Sequence, residues 1–335
     1  RNEYIYKYVS DALWSAADGN QADATGIDRL ALGSKYLDNG TLYVARFDAD
    51  GSGEWLALTP DAMTQAGDQT LAAALGLAAD DLAGIIINTC DAADLVGATP
   101  MDRPEWGAVD PVSGDVYMTL TNNSDRTAEG TGPTYTNGGS SVEEAGVGFG
   151  SAPVNAANPR AENAHGQVIR WREPSPGQTT FDWDIFVFGA LPDSDESENL
   201  SGLTAQNYFS SCDGLWYDDR GDGNGILWIE TDTGGTDFTN DQVLAVIPSS
   251  VGKASGDAAV IDAADQAQLK RFAVGPNGCE VTGIFATPDK TALFINIQHP
   301  GNWPASDSDD ATAETTGTVR PRASTVVIQK SDGGQ

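Results

Sequence analysis

"EWGAVDPVSGDVYMTLTNN" (Glu105 to Asn123) decides the reading of this chain. It opens on a carboxylate, runs through a short apolar stretch and turns at Asp110–Gly114. A second apolar stretch then ends in threonine and asparagines. Turn residues between two short apolar runs predict a β-hairpin. The same order recurs twice, in "DGLWYDDRGDGNGILWIETD" from Asp213 and in "EVTGIFATPDKTALFINIQHP" from Glu280. In an antiparallel hairpin the start of the first strand lies beside the end of the second. Glu105 is therefore expected near Thr121 and Asn122, Asp213 near Asp232, and Glu280 near Gln298 and His299.

One acid at the start of a strand reads as a local turn cap. Three at equivalent places read as blades around an axis, their acids converging at one mouth. The expected fold class is all-β, a β-propeller with inserted loops and a short helical decoration; a decorated β-sandwich is the alternative. The 38 Gly and 16 Pro fit many short strands joined by tight turns. Residues 66–95 carry the helical decoration. Residues 125–157, rich in Gly, Ser, Thr and Glu without apolar period, read as a mobile insertion. The stretches around Pro192–Leu203 and Ala305–Thr318 read similarly. Residues 1–335 form one propeller-like domain in this reading. A strand pattern already running at Arg1 suggests an N-terminally incomplete one.

Charge narrows the partners. The chain has 36 Asp and 13 Glu against 12 Arg and 6 Lys, for a formal net charge of −31. Such a field excludes nucleic acid and anionic membrane as partners. A hydrated surface adapted to salty surroundings explains most of it, and a minority of the aspartates suits calcium. No apolar run approaches a membrane span. Three cysteines match no zinc spacing, and Cys212 and Cys279 each precede a hairpin carboxylate. A disulfide between them and two unpaired buried thiols both stay open. With only His165 and His299, a His-rich zinc site is excluded, and His165 reads as a loop or strand-start residue. Trp106, Trp171, Trp183 and Trp228 read as core. Neither a phosphate-binding Gly-rich loop nor a Gly-x-Ser-x-Gly elbow is present.

A carboxylate cluster with an amide-rich rim is a hard-cation site, suited to calcium, magnesium or ferric iron. The candidate metal ligands are Glu105, Asp213, Glu280 and Asp232. Arg103 stands two residues before Glu105, Arg271 nine before Glu280, and Arg320 and Arg322 precede the last strand. Guanidinium groups beside a metal site point to an anionic substrate, with phosphate the best geometric match. Ion pairing with the many carboxylates explains any single arginine equally well.

Carried by these residues, the sequence resembles the PhoX-type alkaline phosphatases. The likeness runs through "GTLYVARFDADGSGEW", "GATPMDRPEWGAVDP", "YMTLTNNS", "NPRAENAHGQVIRW", "DGLWYD", "LWIETD", "RFAVGPNGCEVTGIFATPD" and "NIQHPG". It implies a propeller exported in folded form to the periplasm or exterior. It also implies hydrolysis of small-molecule phosphate monoesters at a mixed iron–calcium centre. By that resemblance Glu105, Asp213 and Glu280 match acidic metal positions, with Asp232 beside them. Arg103 and Arg271 match catalytic phosphate binders, with His299 beside them in binding substrate; Arg320, a guanidinium ahead of the last strand, is a further candidate substrate binder. Family members carry, further upstream, a segment ending in Cys-Glu-Glu that supplies a cysteine to iron; nothing in residues 1–335 matches it. The chain therefore reads as the C-terminal two-thirds of such an enzyme, acting as a monomer. Two rival readings are a calcium-dependent lactonase or phosphotriesterase, and a non-catalytic extracellular calcium-binding propeller. A neutral ester has little use for arginines at the metal, which separates the first rival.

Overall fold

The computed structural model describes residues 3–19, 28–130, 152–221, 223–233, 239–300 and 323–334. The chain begins with β1 (Tyr6–Ser10), the short helices α1 (Ala16–Gly19) and α2 (Arg29–Leu37), then β2 (Gly40–Phe47) and β3 (Ser52–Ala57). Three helices follow: α3 (Leu71–Ala74), α4 (Leu82–Ile87) and α5 (Thr89–Val96). Next come β4 (Pro104–Val109), β5 (Asp115–Leu120), β6 (Gln167–Arg172) and β7 (Thr180–Phe188). The next group is β8 (Cys212–Asp218), β9 (Ile226–Thr231), β10 (Gln242–Val246), β11 (Gly256–Ala259) and β12 (Lys270–Val274). The last three are β13 (Glu280–Ala286), β14 (Ala292–Gln298) and β15 (Ser324–Gln329).

The hairpin of the opening stretch forms because Asp110 closes its turn. Its carboxylate accepts from the Val112 amide at 2.8 Å and the Ser113 hydroxyl at 2.7 Å, and Gly114 takes the positive φ that follows. In the third hairpin Asp289 does the same work, accepting from the hydroxyls of Thr287 at 2.6 Å and Thr291 at 2.9 Å. Local turn chemistry thus sets each register before any long-range contact is needed.

Strands β4–β5–β6–β7 form an antiparallel meander, joined through β7 to β3, β2 and β1. Strands β8–β9–β10–β12 form a second meander and β13–β14–β15 a third, while β11 leaves the second to pair in parallel with β7. Each meander begins with a strand that has one hydrogen-bonded neighbour, and these first strands lie together, with β4 and β13 both against β8. That is the inner edge of a propeller-like, all-β arrangement. Sandwich topology, the alternative, would have left two facing sheets.

The apolar cores sit between neighbouring meanders. Tyr117, Val168 and Phe186 meet Leu215, Leu227 and Leu244 across the first gap. Across the second, Trp228 and Val243 meet Val281, Ile295 and Ile297. A third core packs the helices against β2 through Leu71, Ile85 and Val44. Burying such side chains stabilises by roughly 1.5–3 kcal/mol each, and here it also fixes how β4, β8 and β13 approach one another.

Several expectations are revised. The helical region expected at residues 66–95 is three short helices within Leu71–Val96, broken at Gly76 and by Asp81, which caps α4 through the Gly84 amide at 2.8 Å. Helices α1 and α2 and strand β11 were not anticipated, since none carries a clear apolar period. Residues 131–151 of the expected insertion lie outside the described residues, but its two ends are anchored. Thr127 pairs with Pro153, and the buried Arg126 guanidinium lies 2.5 Å from Asp102 and donates to the Pro100 carbonyl at 2.9 Å. Trp171, Trp183 and Trp228 are core as expected, whereas Trp106 is 41% exposed. Cys212 and Cys279 are free buried thiols, each pushed up to about 12 by burial. Among the described residues no helix is long and apolar enough to cross a membrane.

Candidate metal centre

The three hairpins deliver their acids to one mouth. Glu105 is the second residue of β4, Asp213 the second of β8 and Glu280 the first of β13. Glu280 stands opposite Gln298, as the hairpin geometry predicts. The other two hairpins are bulged at Glu105–Trp106 and Asp213–Gly214, which shifts the register there and re-aims both carboxylates. A third bulge at Gly283–Ile284 bends β13 close by.

Backbone strain marks the same mouth. Arg103 has φ +54°, Ser211 φ +52° and His299 φ +32°, conformations that L side chains seldom adopt. The first two precede β4 and β8 and the last follows β14, so all three hairpins carry one. Such residues cost about 1–3 kcal/mol each and persist only where neighbours hold them. The neighbours are visible. The Thr121 amide donates to the Arg103 carbonyl at 3.2 Å, and the Asp232 amide to the Ser211 carbonyl at 2.9 Å. Ser211 in turn donates its amide to His165 O at 3.0 Å. A residue before proline is ordinarily extended; Arg103 is instead left-handed, and its guanidinium lies 4.0 Å from Glu105. Asn122 holds the other arm, accepting from Arg103 Nη1 at 2.7 Å while donating to Ser211 Oγ at 3.1 Å.

The acids feel one another. Asp213 is pushed up to about 7, first by burial and then by the charges of Glu105, Glu280 and Asp232. Glu280 is raised by burial and by Asp232, against the pull of Gln298 and His299. Glu105 is raised by burial, with Arg103 opposing. Asp232, Glu280 and His299 present ligand atoms within 4.8 Å of one another. His299 Nε2 lies 3.5 Å from Glu280, which also accepts from Gln298.

Sequence reasoning missed Glu230. It is fully buried and pushed up to about 8 by burial and by Asp213 and Glu280. The Gly283 amide faces it, yet neither of its oxygens has a well-formed hydrogen bond among the described residues. The signal was present in "ETD", because residues two apart on a strand share a face, so Glu230 stands on Asp232's side of β9. A carboxylate buried without donors is costly unless a cation satisfies it. This orphaned carboxyl, with its acidic neighbours, makes the donor set fit a hard cation. Asp241 lies close by, pushed up to about 7 by burial, and bonded to Thr231 and Thr233.

Gly214 gives this carboxylate its room. A Cβ there would stand 2.2 Å from Glu230 Oε2. Gly214→Ala is expected to displace Glu230, to destabilise the fold by about 1–3 kcal/mol and to weaken cation uptake. Urea unfolding and metal titration check both effects.

Arg271 on β12 donates to Gln242 at 2.5 Å and to the carbonyls of Tyr208 at 2.9 Å and Ala205 at 3.3 Å, so its guanidinium is engaged by neutral groups of its own blade. Arg320 and Arg322 lie outside the described residues. His165 makes a triad-like set with Glu198 at 3.1 Å and Ser210 at 2.9 Å. Ser210 is fully buried, so this is packing rather than serine hydrolase chemistry.

The profile of the family described as Alkaline phosphatase PhoX matches residues 1–301. A solved structure, Pseudomonas fluorescens PhoX in complex with vanadate, a transition state analogue, is similar at 35% identity with a TM-score of 0.71. The match covers 100% of this chain and 50% of that one, so the chain spans about half the length of that relative. No curated protein sequence matches it. With a family profile spanning most of its length and a whole-chain structural match, the chain belongs to the PhoX alkaline phosphatase family.

Proposed function

We propose that this chain forms one wall of a metal-dependent phosphomonoesterase site acting on small-molecule phosphate esters outside the cytoplasm. The observation that carries the reading is the convergence of Glu105, Asp213, Glu230, Asp232 and Glu280 with the Arg103 guanidinium beside them. A site built only to hold calcium has no need of a cation at its rim. The vanadate held by the similar Pseudomonas enzyme supports a phosphoryl substrate.

In this reading Glu105, Asp213, Asp232 and Glu280 hold the cations, with Glu230 behind them and His299 at the edge. Calcium and iron, implied by the family likeness, would supply the Lewis acidity that polarises a phosphoryl oxygen and acidifies water. Arg103, held by Asn122, turns its free N–H edge to the phosphate and offsets charge that develops on its oxygens. Arg271 enters as a substrate binder through the resemblance alone, and Arg320 through its place ahead of the last strand.

Two experiments test the reading. The full-length protein that carries this wall should release phosphate from a chromogenic monoester, lose that activity on chelation and regain it with calcium and iron; turnover indifferent to chelation would refute the reading. Arg103→Lys keeps the charge but loses the planar fork. It should lower kcat/KM by roughly 10–100-fold and weaken phosphate inhibition, with metal content unchanged. A kinetically silent Arg103→Lys would reduce Arg103 to an ion-pair partner of Glu105.

A further inference from the structure

At the far end of the same hairpins a cavity of about 340 Å3 opens between the second and third meanders. Strand β8 spans seven residues, which at about 3.3 Å each puts this end ~20 Å from Asp213. The cavity is therefore separate from the carboxylate cluster. Its walls are Ile226 and Trp228 of β9, Phe272 of β12, Leu293 of β14 and Ile328 of β15. Trp228 and Phe272 meet edge to face, ring centroids 4.9 Å apart, giving a rigid apolar surface.

The polar groups are one-sided. Three cations and no carboxylate line the cavity: Arg220 from the β8–β9 turn, Lys290 from the β13–β14 turn, and Lys330 just after β15. For a chain with 49 acidic and 18 basic residues, this local balance is reversed. The buried Asp218 ion-pairs Arg220 at 2.6 Å and Lys290 at 2.5 Å, neutralising one charge of the three. Two buried donors also have no acceptor among the described residues. They are the indole N–H of Trp228, on a side chain 4% exposed, and the Nε–H of Arg220. Cavities of this size commonly bind small molecules by an apolar wall and a few placed polar groups.

We propose that this cavity binds a small amphipathic anion. Its aliphatic body lies against Trp228, Phe272 and Ile328, and its carboxylate meets the cationic side formed by Arg220, Lys290 and Lys330. A neutral amphiphile fills the same walls but leaves the excess positive charge unanswered; a cationic one adds repulsion.

The test uses octanoate, octanol and octylammonium at equal submicellar concentrations. The readouts are the NMR resonances of the Trp228 indole N–H and the Arg220 Nε–H. Octanoate should shift both resonances saturably and bind at least tenfold more tightly than octylammonium. Lys330→Glu, on an exposed side chain, should weaken octanoate at least fivefold and leave octanol unchanged. Ala292→Phe, which fills the cavity, should abolish the shifts while the circular dichroism spectrum stays native. Equal binding of all three probes would overturn the proposal and leave an unselective apolar groove. Absence of any shift would also overturn it and point to another stretch of polypeptide covering these walls.

Discussion

Glu280→Gln is expected to lower the affinity of the centre for a hard cation by roughly a hundredfold or more, with activity lost in proportion. The amide keeps the shape of the side chain but loses a full charge and one strong acceptor. Gln298 donates to the same carboxylate oxygen that lies 3.5 Å from His299, so one substitution disturbs three groups at once. Glu280 is only partly buried and the apolar side of β13 is untouched, so the fold should survive. Isothermal titration with calcium, beside a circular dichroism spectrum, separates loss of the site from loss of structure. Undiminished affinity in a folded variant would remove Glu280 from the ligand set.

The second large effect concerns stability without metal. Asp213, Glu230 and Asp241 have folded pKa values raised to about 7, 8 and 7. A raised carboxyl pKa means that the folded chain binds more protons than the unfolded one between the two values. Stability is then greatest below the unfolded value near 4 and falls as pH rises through the folded values. The metal-free chain should accordingly weaken between about pH 5 and pH 8 and level off above that. Glu230→Gln removes one buried charge, so it should stabilise the metal-free chain at pH 8 by on the order of 3 kcal/mol. The same change should matter little near pH 4.5 and should weaken cation binding. Urea unfolding at pH 5.5 and pH 8.5, with and without calcium, reads all of this. An unaltered pH slope in the variant would show that Glu230 is not the charge being relieved. The pairing of gain and loss is characteristic of a site whose repulsion is held in place for a ligand.

Much of this arrangement was legible because hairpin geometry is local. Turn residues such as Asp110 and Asp289 set registers that do not depend on the rest of the fold, and the acids follow from the registers. What escaped the sequence was long-range or conformational. Glu230 looks like an ordinary strand residue until β8 and β13 close over it. The bulges at Glu105–Trp106 and Asp213–Gly214 arise where β4 and β8 press together, and their one sequence signal is a glycine in each strand, Gly107 and Gly214. The left-handed backbone of Arg103 runs against the usual preference of a residue before proline, so local rules predicted the wrong conformation at the point of greatest functional interest. Arg271 is the converse case. Its position before Glu280 suggested a shared site, but β12 lies at the outer edge of its meander, three strands from β8.

The central claim is that acids from three hairpins make a single cation centre. The most direct measurement is a crystal of the protein soaked with a trivalent lanthanide, which takes calcium-like oxygen ligands, and read by anomalous scattering. The account predicts a strong anomalous peak about 2.3–2.6 Å from carboxylate oxygens of Asp232 and Glu280, with Asp213 and Glu230 ordered around it. Peaks confined to surface aspartates, with the mouth of the three hairpins empty, would contradict it.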